Sequence, residues 1–96
     1  MREIKIFNTT GSFAENKDKA REIRINFIIP SLEKKEKVIL DFEGVDSATQ
    51  SFIHALISDV IKQKGAGALN NIFFKNCNEI IRKLIEIVTE YMQDSV

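Results

Sequence analysis

A short apolar run near the middle of the chain most constrains how it can fold. Residues 37–42 run through Val38 to Leu40 without a polar interruption before Asp41. Such a run suits a central strand that is covered on both faces, or nearly so. After a polar turn, apolar side chains return at every third or fourth position over residues 50–64, which predicts an amphipathic helix. A buried strand followed by a helix indicates an α/β fold.

Two further strand–helix units flank this one. Residues 2–7 alternate apolar and charged side chains, which predicts a half-buried strand, and residues 13–29 repeat apolar side chains at helical spacing. Residues 72–75 predict a third strand, and the last helix is expected to end near Gln93. The expected links cover residues 8–12, 31–37 and 65–71. The order β-α-β-α-β-α predicts parallel strands with right-handed crossovers.

Local signals predict where the helices begin and end. Pro30 cannot donate a backbone hydrogen bond and disfavours a helical residue before it, so the first helix is expected to end near Ile29. Thr49 or Ser47 is expected to cap the middle helix, because a hydroxyl can accept a hydrogen bond from a free amide of the first turn. Asn76 or Asn78 is expected to cap the last helix.

The apolar stripes of these elements predict the core. On the last helix the stripe continues to Tyr91 and Met92. We expect five side chains to be buried together: Ile39, Leu56, Ile57, Leu84 and Val88.

Length and charge narrow the class of protein. The chain has 96 residues, room for a single domain over residues 1–96. Its 14 basic and 14 acidic residues cancel, which leaves no overall electrostatic attraction to nucleic acid or to an anionic membrane. No apolar stretch approaches the roughly 20 residues of a membrane span. The lone Cys77 cannot form an internal disulfide, and without a secretion signal this favours a cytoplasmic protein.

Metal and cofactor chemistry finds little support. His54 and Cys77 are the only soft ligands, whereas a structural zinc site usually has four. Gly65 and Gly67 follow a predicted helix, not a strand, which is the wrong context for a dinucleotide loop. We therefore expect no metal and no cofactor. Cys77 is interpreted as a buried structural cysteine, with a reactive thiol near a helix start as the alternative.

Nucleophilic catalysis is also poorly supported. Ser51 and His54 are one helical turn apart, and Asp41 is near them in the sequence. A triad needs an oriented base and an oxyanion hole, and no Gly-x-Ser-x-Gly elbow is present. His54 is interpreted as a surface residue of the helix, and we expect the protein not to be an enzyme.

Ser51 opens the middle helix and is expected to be exposed. A phosphate at this position would be stabilised by the free amides and the dipole of the helix. The carboxylates of Asp41, Glu43 and Asp46 are expected to oppose it by repulsion. The alternative is that Ser51 is only a polar residue of the first turn.

The end of the strand and the start of the helix carry a family resemblance. A strand ending in Asp41-Phe-Glu-Gly-Val45, a polar link, and Ser51-Phe52 at the start of an apolar helix resemble the STAS-like family of unknown function. These are small bacterial and archaeal domains related to the STAS domains of anti-sigma factor antagonists. The resemblance extends from about Gly11 to the last helix. It implies a small, largely parallel sheet with helices packed mainly on one face.

The resemblance also implies a site and a function. Aligned without gaps from Asp41, the sequence places Ser51 on the serine that partner kinases phosphorylate in the antagonists. The implied regulatory corner consists of Asp41, Asp46, Thr49, Gln50 and Ser51. The implied function is a non-enzymatic protein-interaction or regulatory switch whose partner is a histidine-kinase-like ATPase. The alternative is a small-ligand or nucleotide sensor that uses the same corner.

The charge pattern predicts that this protein does not bind nucleic acid, which can be tested directly. The basic residues between Lys17 and Arg24 alternate with Asp18 and Glu22, as on a solvated helix face. We expect no retardation of duplex DNA by this protein in a gel-shift assay at physiological salt, because phosphate binding requires an uncompensated basic surface. A known DNA-binding domain in the same buffer is the positive control. Tight binding of the duplex would contradict the prediction.

Overall fold

A computed structural model describes residues 1–94 of the chain. The elements follow one another as β1 (Arg2–Lys5), α1 (Phe7–Thr10), β2 (Phe13–Ala14), α2 (Lys17–Ile23), a π-helical segment (Arg24–Ile28), α3 (Ile29–Glu33), β3 (Val38–Asp41), β4 (Ser47–Ala48), α4 (Gln50–Lys64), a 3-10 segment (Ala66–Asn71), β5 (Ile72–Lys75) and α5 (Glu79–Asp94). The side chains of Tyr91 and Met92, expected on the apolar face of the last helix, lie outside the part that the structure describes.

The main sheet has three parallel strands in the order β1-β3-β5. The apolar run of the sequence is therefore the central strand, as predicted. Val38 and Leu40 are buried beneath the helices, whereas Ile39 is half-buried and its neighbour Phe73 is 44% exposed. Successive side chains of a strand point to opposite faces, so the helices cover one face of this sheet and leave the other open. The expected α/β fold with helices mainly on one face is confirmed, and cover on both faces is not.

The core lies between the sheet and the helices. Leu56 and Ile57 of α4 and Val88 of α5 are buried in it, as predicted. Leu84 is only half-buried at its margin. The prediction was wrong for Ile39, because Ile39 points to the open face of the sheet while its two neighbours on β3 point into the core.

The first helix differs most from its prediction. Residue 13 belongs to β2, and the helix begins only at Lys17, where the Asn16 side chain accepts a hydrogen bond from the Asp18 amide at 2.8 Å. The chain then stays helical past Pro30, to Glu33. A π-helical segment precedes the proline, which falls in the first turn of α3, where its missing N–H is tolerated. The expected end of the helix before Pro30 was therefore wrong.

Two of the expected links contain short helices. One turn of helix, α1, occupies most of residues 8–12, and the 3-10 segment fills most of residues 65–71. Elements of one or two turns are too short to show a helical repeat of apolar side chains. None of the helices in the described chain is long and apolar enough to cross a membrane.

The structure selects between the alternative caps. Thr49 caps α4, since its Oγ1 accepts a hydrogen bond from the Phe52 amide at 3.1 Å. Asn78 caps α5, since its Oδ1 accepts from the Ile81 amide at 2.9 Å. Asn76 has instead a positive φ of 58°, a conformation that asparagine tolerates better than most residues.

The packing of α4 generates a test of the core. Leu56 is fully buried, so Leu56→Ala should lower the free energy of unfolding by about 2–5 kcal/mol through lost burial and the cavity left behind. Urea unfolding followed by circular dichroism measures the change. Lys62→Ala, on the exposed face of the same helix, is the matched control and should change it by less than about 0.5 kcal/mol. Equal effects of the two substitutions would show that α4 is wrongly placed.

Candidate functional site

Two helices begin side by side at one corner of the molecule. The short strands β2 and β4 pair in parallel, with Ala14 opposite Ala48. The Thr49 amide extends this pairing by donating to the Ala14 carbonyl at 3.0 Å. Each strand leads into a helix cap, Asn16 for α2 and Thr49 for α4. The N-terminal ends of both helices, where the helix dipoles are positive, therefore lie close together.

An open groove of about 380 Å³ lies where the two helices begin. Its lining comprises Lys17 of α2 and Gln50, Ser51, His54 and Ala55 of α4. Ser51 is exposed in the first turn of α4, where the sequence predicted it. Of the expected corner residues, Gln50 and Ser51 line this groove, and Thr49 lies directly behind them as the cap.

A buried arginine links the π-helical segment after α2 to α4. Arg24 lies 3.1 Å from the carboxylate of Asp59 on α4 and also donates to the Ala55 carbonyl. Because Lys17 lies beside the first turns of α4 and Arg24 beside its middle, the helices run in the same direction. Lys17 therefore lies at the Ser51 end of α4.

The groove also contains three residues that were not expected there: Lys17, His54 and Ala55. His54 and Ala55 could have been found, because they lie three and four residues after Ser51 on the same helical face. Lys17 had no such signal, since it approaches only through the pairing of β2 with β4.

The side chain of His54 bonds to a serine other than Ser51. Its Nδ1 lies 3.2 Å from Oγ of Ser58, one turn further along α4. Ser58 is buried, so its hydroxyl is closed to a substrate in solvent. Ser51 and His54 line the same groove, while Asp41 borders a different depression, with Lys5 and Glu43.

Asp41 is buried, and its carboxylate accepts hydrogen bonds from the turns that follow β3 and β5. It is 3% exposed, and its Oδ1 accepts from the Glu43 amide at 2.9 Å and from Asn76 Nδ2 at 3.0 Å. One carboxylate oxygen thus joins the turn after β3 to the turn after β5. Asp41 is therefore a buried link between two turns and does not line the groove.

The same contacts determine the ionisation of Asp41. Burial raises the pKa of this carboxyl, but hydrogen bonds from Asn76 and the Glu43 amide and the charges of Lys75 and Lys5 outweigh it. The pKa of Asp41 is therefore lowered below its ordinary 3.8. The side chain is an anion at neutral pH, and its charge is compensated locally.

Asp46 connects the corner to α5 through its backbone. Its amide donates to the Ser12 carbonyl at 2.8 Å, and its carbonyl accepts from Asn78 Nδ2 at 2.7 Å. The side chain itself is exposed. The expected site residues therefore divide into two groups: Gln50 and Ser51 at the groove, and Asp41 and Asp46 in the turns that support it.

Cys77 lies in a separate depression of about 290 Å³ between β5 and α5. Burial raises the pKa of the thiol, and the nearby Arg82 only partly offsets this. A raised pKa keeps the thiol protonated at neutral pH and poorly nucleophilic, which agrees with the structural interpretation of this half-buried cysteine. Among the described residues, no group of three or more His, Cys, Asp or Glu side chains could hold a metal ion.

Comparison with known families gives one match. The model of a family described as "STAS-like domain of unknown function (DUF4325)" matches residues 19–82, about two thirds of the chain. The match covers Asp41, Ser51 and His54, and it begins two residues after Lys17. No curated protein and no solved structure matches the chain significantly.

The contribution of the Asp41 charge to stability can be tested by varying the pH. Asp41→Asn keeps Oδ1 as an acceptor for both hydrogen bonds but removes the charge, which should cost on the order of 1 kcal/mol of stability at pH 7. A carboxyl with a lowered pKa stabilises the fold above its unfolded pKa and loses that contribution as the pH falls through the folded pKa. The gap between wild type and the variant should therefore close below pH 3.8. Urea unfolding at a series of pH values measures it.

Asp46→Asn is the matched control for this experiment. The side chain of Asp46 is exposed, so the variant should unfold like wild type at every pH. A gap between wild type and Asp41→Asn that stayed constant through acid would mean that the Asp41 charge does not stabilise the fold.

Proposed function

The chain belongs to the family of STAS-like domains of unknown function, and we propose that it is a cytoplasmic, non-enzymatic regulatory module that binds a partner protein at the groove between α2 and α4. Ser51 is the residue at which the switch acts. The observation that carries this proposal is the exposed position of Ser51 in the first turn of α4, in a groove that also contains Lys17.

Modification of Ser51 is compatible with the fold. Thr49 caps α4, so a change at the Ser51 hydroxyl removes no capping hydrogen bond. A phosphate at Ser51 brings close to two negative charges at neutral pH and three acceptor oxygens. The surface of the protein would change while its core stayed intact.

The charges around the groove favour a phosphate at Ser51. The sequence suggested repulsion from Asp41, Glu43 and Asp46, but none of these side chains lines the groove. Lys17 lines the groove, which lies at two helix starts. Attraction by these groups would order the phosphate against the groove instead of repelling it.

The proposed partner is a histidine-kinase-like ATPase. The family resemblance aligns Ser51 with the serine that such kinases modify in the related antagonists. Gln50 and Ser51 are exposed together with Lys17, so a partner can reach all three at once. The bond between His54 and the buried Ser58 supports the absence of enzymatic activity, because it engages the groove histidine with a serine that substrates cannot reach.

A nucleotide or other small anion is the second candidate ligand. The groove volume of about 380 Å³ lies at the lower end of the range for small-molecule pockets, and Lys17 would pair with a phosphate. A thermal-shift screen against nucleotides tests this function separately. A ligand at 100 times its dissociation constant adds about 2.7 kcal/mol of stability.

Substitutions of Ser51 test the switch. Ser51→Asp should weaken binding to the ATPase by about tenfold or more, a loss of about 1.4 kcal/mol, because it places a charge in the contact surface. Ser51→Ala should bind like wild type and should no longer gain the mass of a phosphate when incubated with the ATPase, ATP and Mg²⁺. Calorimetric titration gives the affinities, and intact-protein mass spectrometry gives the modification.

Asn70→Asp is the control for added charge alone. Asn70 is exposed in the 3-10 segment and does not line the groove, so this variant should bind the ATPase like wild type. Equal affinities for wild type, Ser51→Asp and Ser51→Ala would refute the proposed contact at Ser51.

A further inference from the structure

Helix α5 carries two apolar stripes, and the domain buries only one of them. The buried stripe consists of Ile81, Ile85 and Val88. The second stripe consists of Ile80, Leu84 and Ile87. Ile80 is 56% exposed and Ile87 is 49% exposed, while Leu84 is half-buried because it also packs against the core.

The outer stripe has the spacing of a helix-pairing seam. Its residues are four and then three positions apart, which is the heptad pattern that lets one helix pack along another. Isoleucine and leucine at such positions form the knobs of these interfaces. Two isoleucines this exposed on one helix face form an apolar surface that a second helix can cover.

The charges beside the stripe indicate which helix fits. Lys83 and Glu90 are both exposed, lie seven residues apart and flank the same edge of the stripe. In an antiparallel pair of identical helices, Lys83 of each copy lies opposite Glu90 of the other, so two ion pairs form by symmetry. In a parallel pair the two residues of one copy would not meet their opposite charges in the other.

We propose that two copies of this chain associate through α5 in an antiparallel arrangement about a two-fold axis. Leu84 of one copy packs against Ile87 of the second copy, and the Lys83–Glu90 pairs flank this centre. Such an interface is isologous and closes on itself, so it gives a dimer and not a fibre. Within each copy, Lys83 also lies 3.9 Å from Glu79 in an exposed pair that contributes little.

The predicted dimer is reversible. A single helix stripe buries less surface than a standard protein interface, so we expect dissociation in the micromolar range. The stripe shares no residue with the groove around Ser51, so the inference does not rest on the proposed function. A dimer would present two such grooves.

Sedimentation equilibrium over a concentration series tests the association. Wild type should shift from monomer to dimer, and Ile87→Asp should stay monomeric while keeping the melting temperature of the monomer, since the site is exposed. A wild type that remains monomeric up to about 1 mM, or an Ile87→Asp variant that dimerises normally, would overturn the proposal.

Charge reversal tests the antiparallel arrangement. Lys83→Glu and Glu90→Lys should each raise the dissociation constant at least tenfold, because like charges then face each other. An equimolar mixture of the two variants should form a one-to-one heterodimer, and the double variant should recover the homodimer. Lys62→Glu, on the exposed face of α4, is the control and should dimerise like wild type. Single variants that dimerise normally, or a mixture that stays monomeric, would refute this geometry.

Discussion

One oxygen of Asp41 joins the two turns on which the corner depends. Parallel strands end at the same edge of a sheet, so the chain leaving β3 and the chain leaving β5 emerge next to each other. Oδ1 of Asp41 accepts a hydrogen bond from each of them, from the Glu43 amide and from Asn76. Because the carboxylate is buried, these bonds and the nearby lysines are what make its charge tolerable.

The segment after this turn assembles the groove. Asp46 binds Ser12 on one side and Asn78 on the other through its backbone, which draws β4 alongside β2 and the start of α5. Helices α2 and α4 follow these paired strands and run in the same direction. The Arg24–Asp59 ion pair links α4 to the segment after α2. The groove thus depends on the pairing of β2 with β4, which brings Lys17 and Ser51 into one lining.

The molecule separates two kinds of surface. The groove at the helix starts is polar and carries the one residue that the family resemblance connects with phosphorylation. The outer stripe of α5 is apolar and is flanked by the exposed charges of Lys83 and Glu90. Under the two proposals made above, one surface would hold two copies together while the other would receive a partner.

The spacing of apolar side chains and the residues at the turns were enough to predict several elements of this fold from the sequence alone. The central strand, the bounds of α4 at residues 50–64, the strand at residues 72–75 and the exposed position of Ser51 follow from local patterns, which the structure confirms. These features depend on residues a few positions apart, so they appear in the sequence as apolar side chains that repeat every two residues in a strand or every 3.6 residues in a helix.

Contacts between segments that are distant along the chain became visible only in the tertiary structure. β2 and β4 have two residues each and no detectable pattern, so their pairing and the approach of Lys17 to Ser51 could not be read from the chain. The helix continued past Pro30 because a π-helical segment placed the proline in a first turn. Ile39 and Asp41 both lie on β3. Ile39 was predicted to be in the core but faces the open side of the sheet, and Asp41 joins two turns through its hydrogen bonds. Sequence patterns report which residues are apolar, whereas the neighbours that a side chain meets depend on segments distant along the chain.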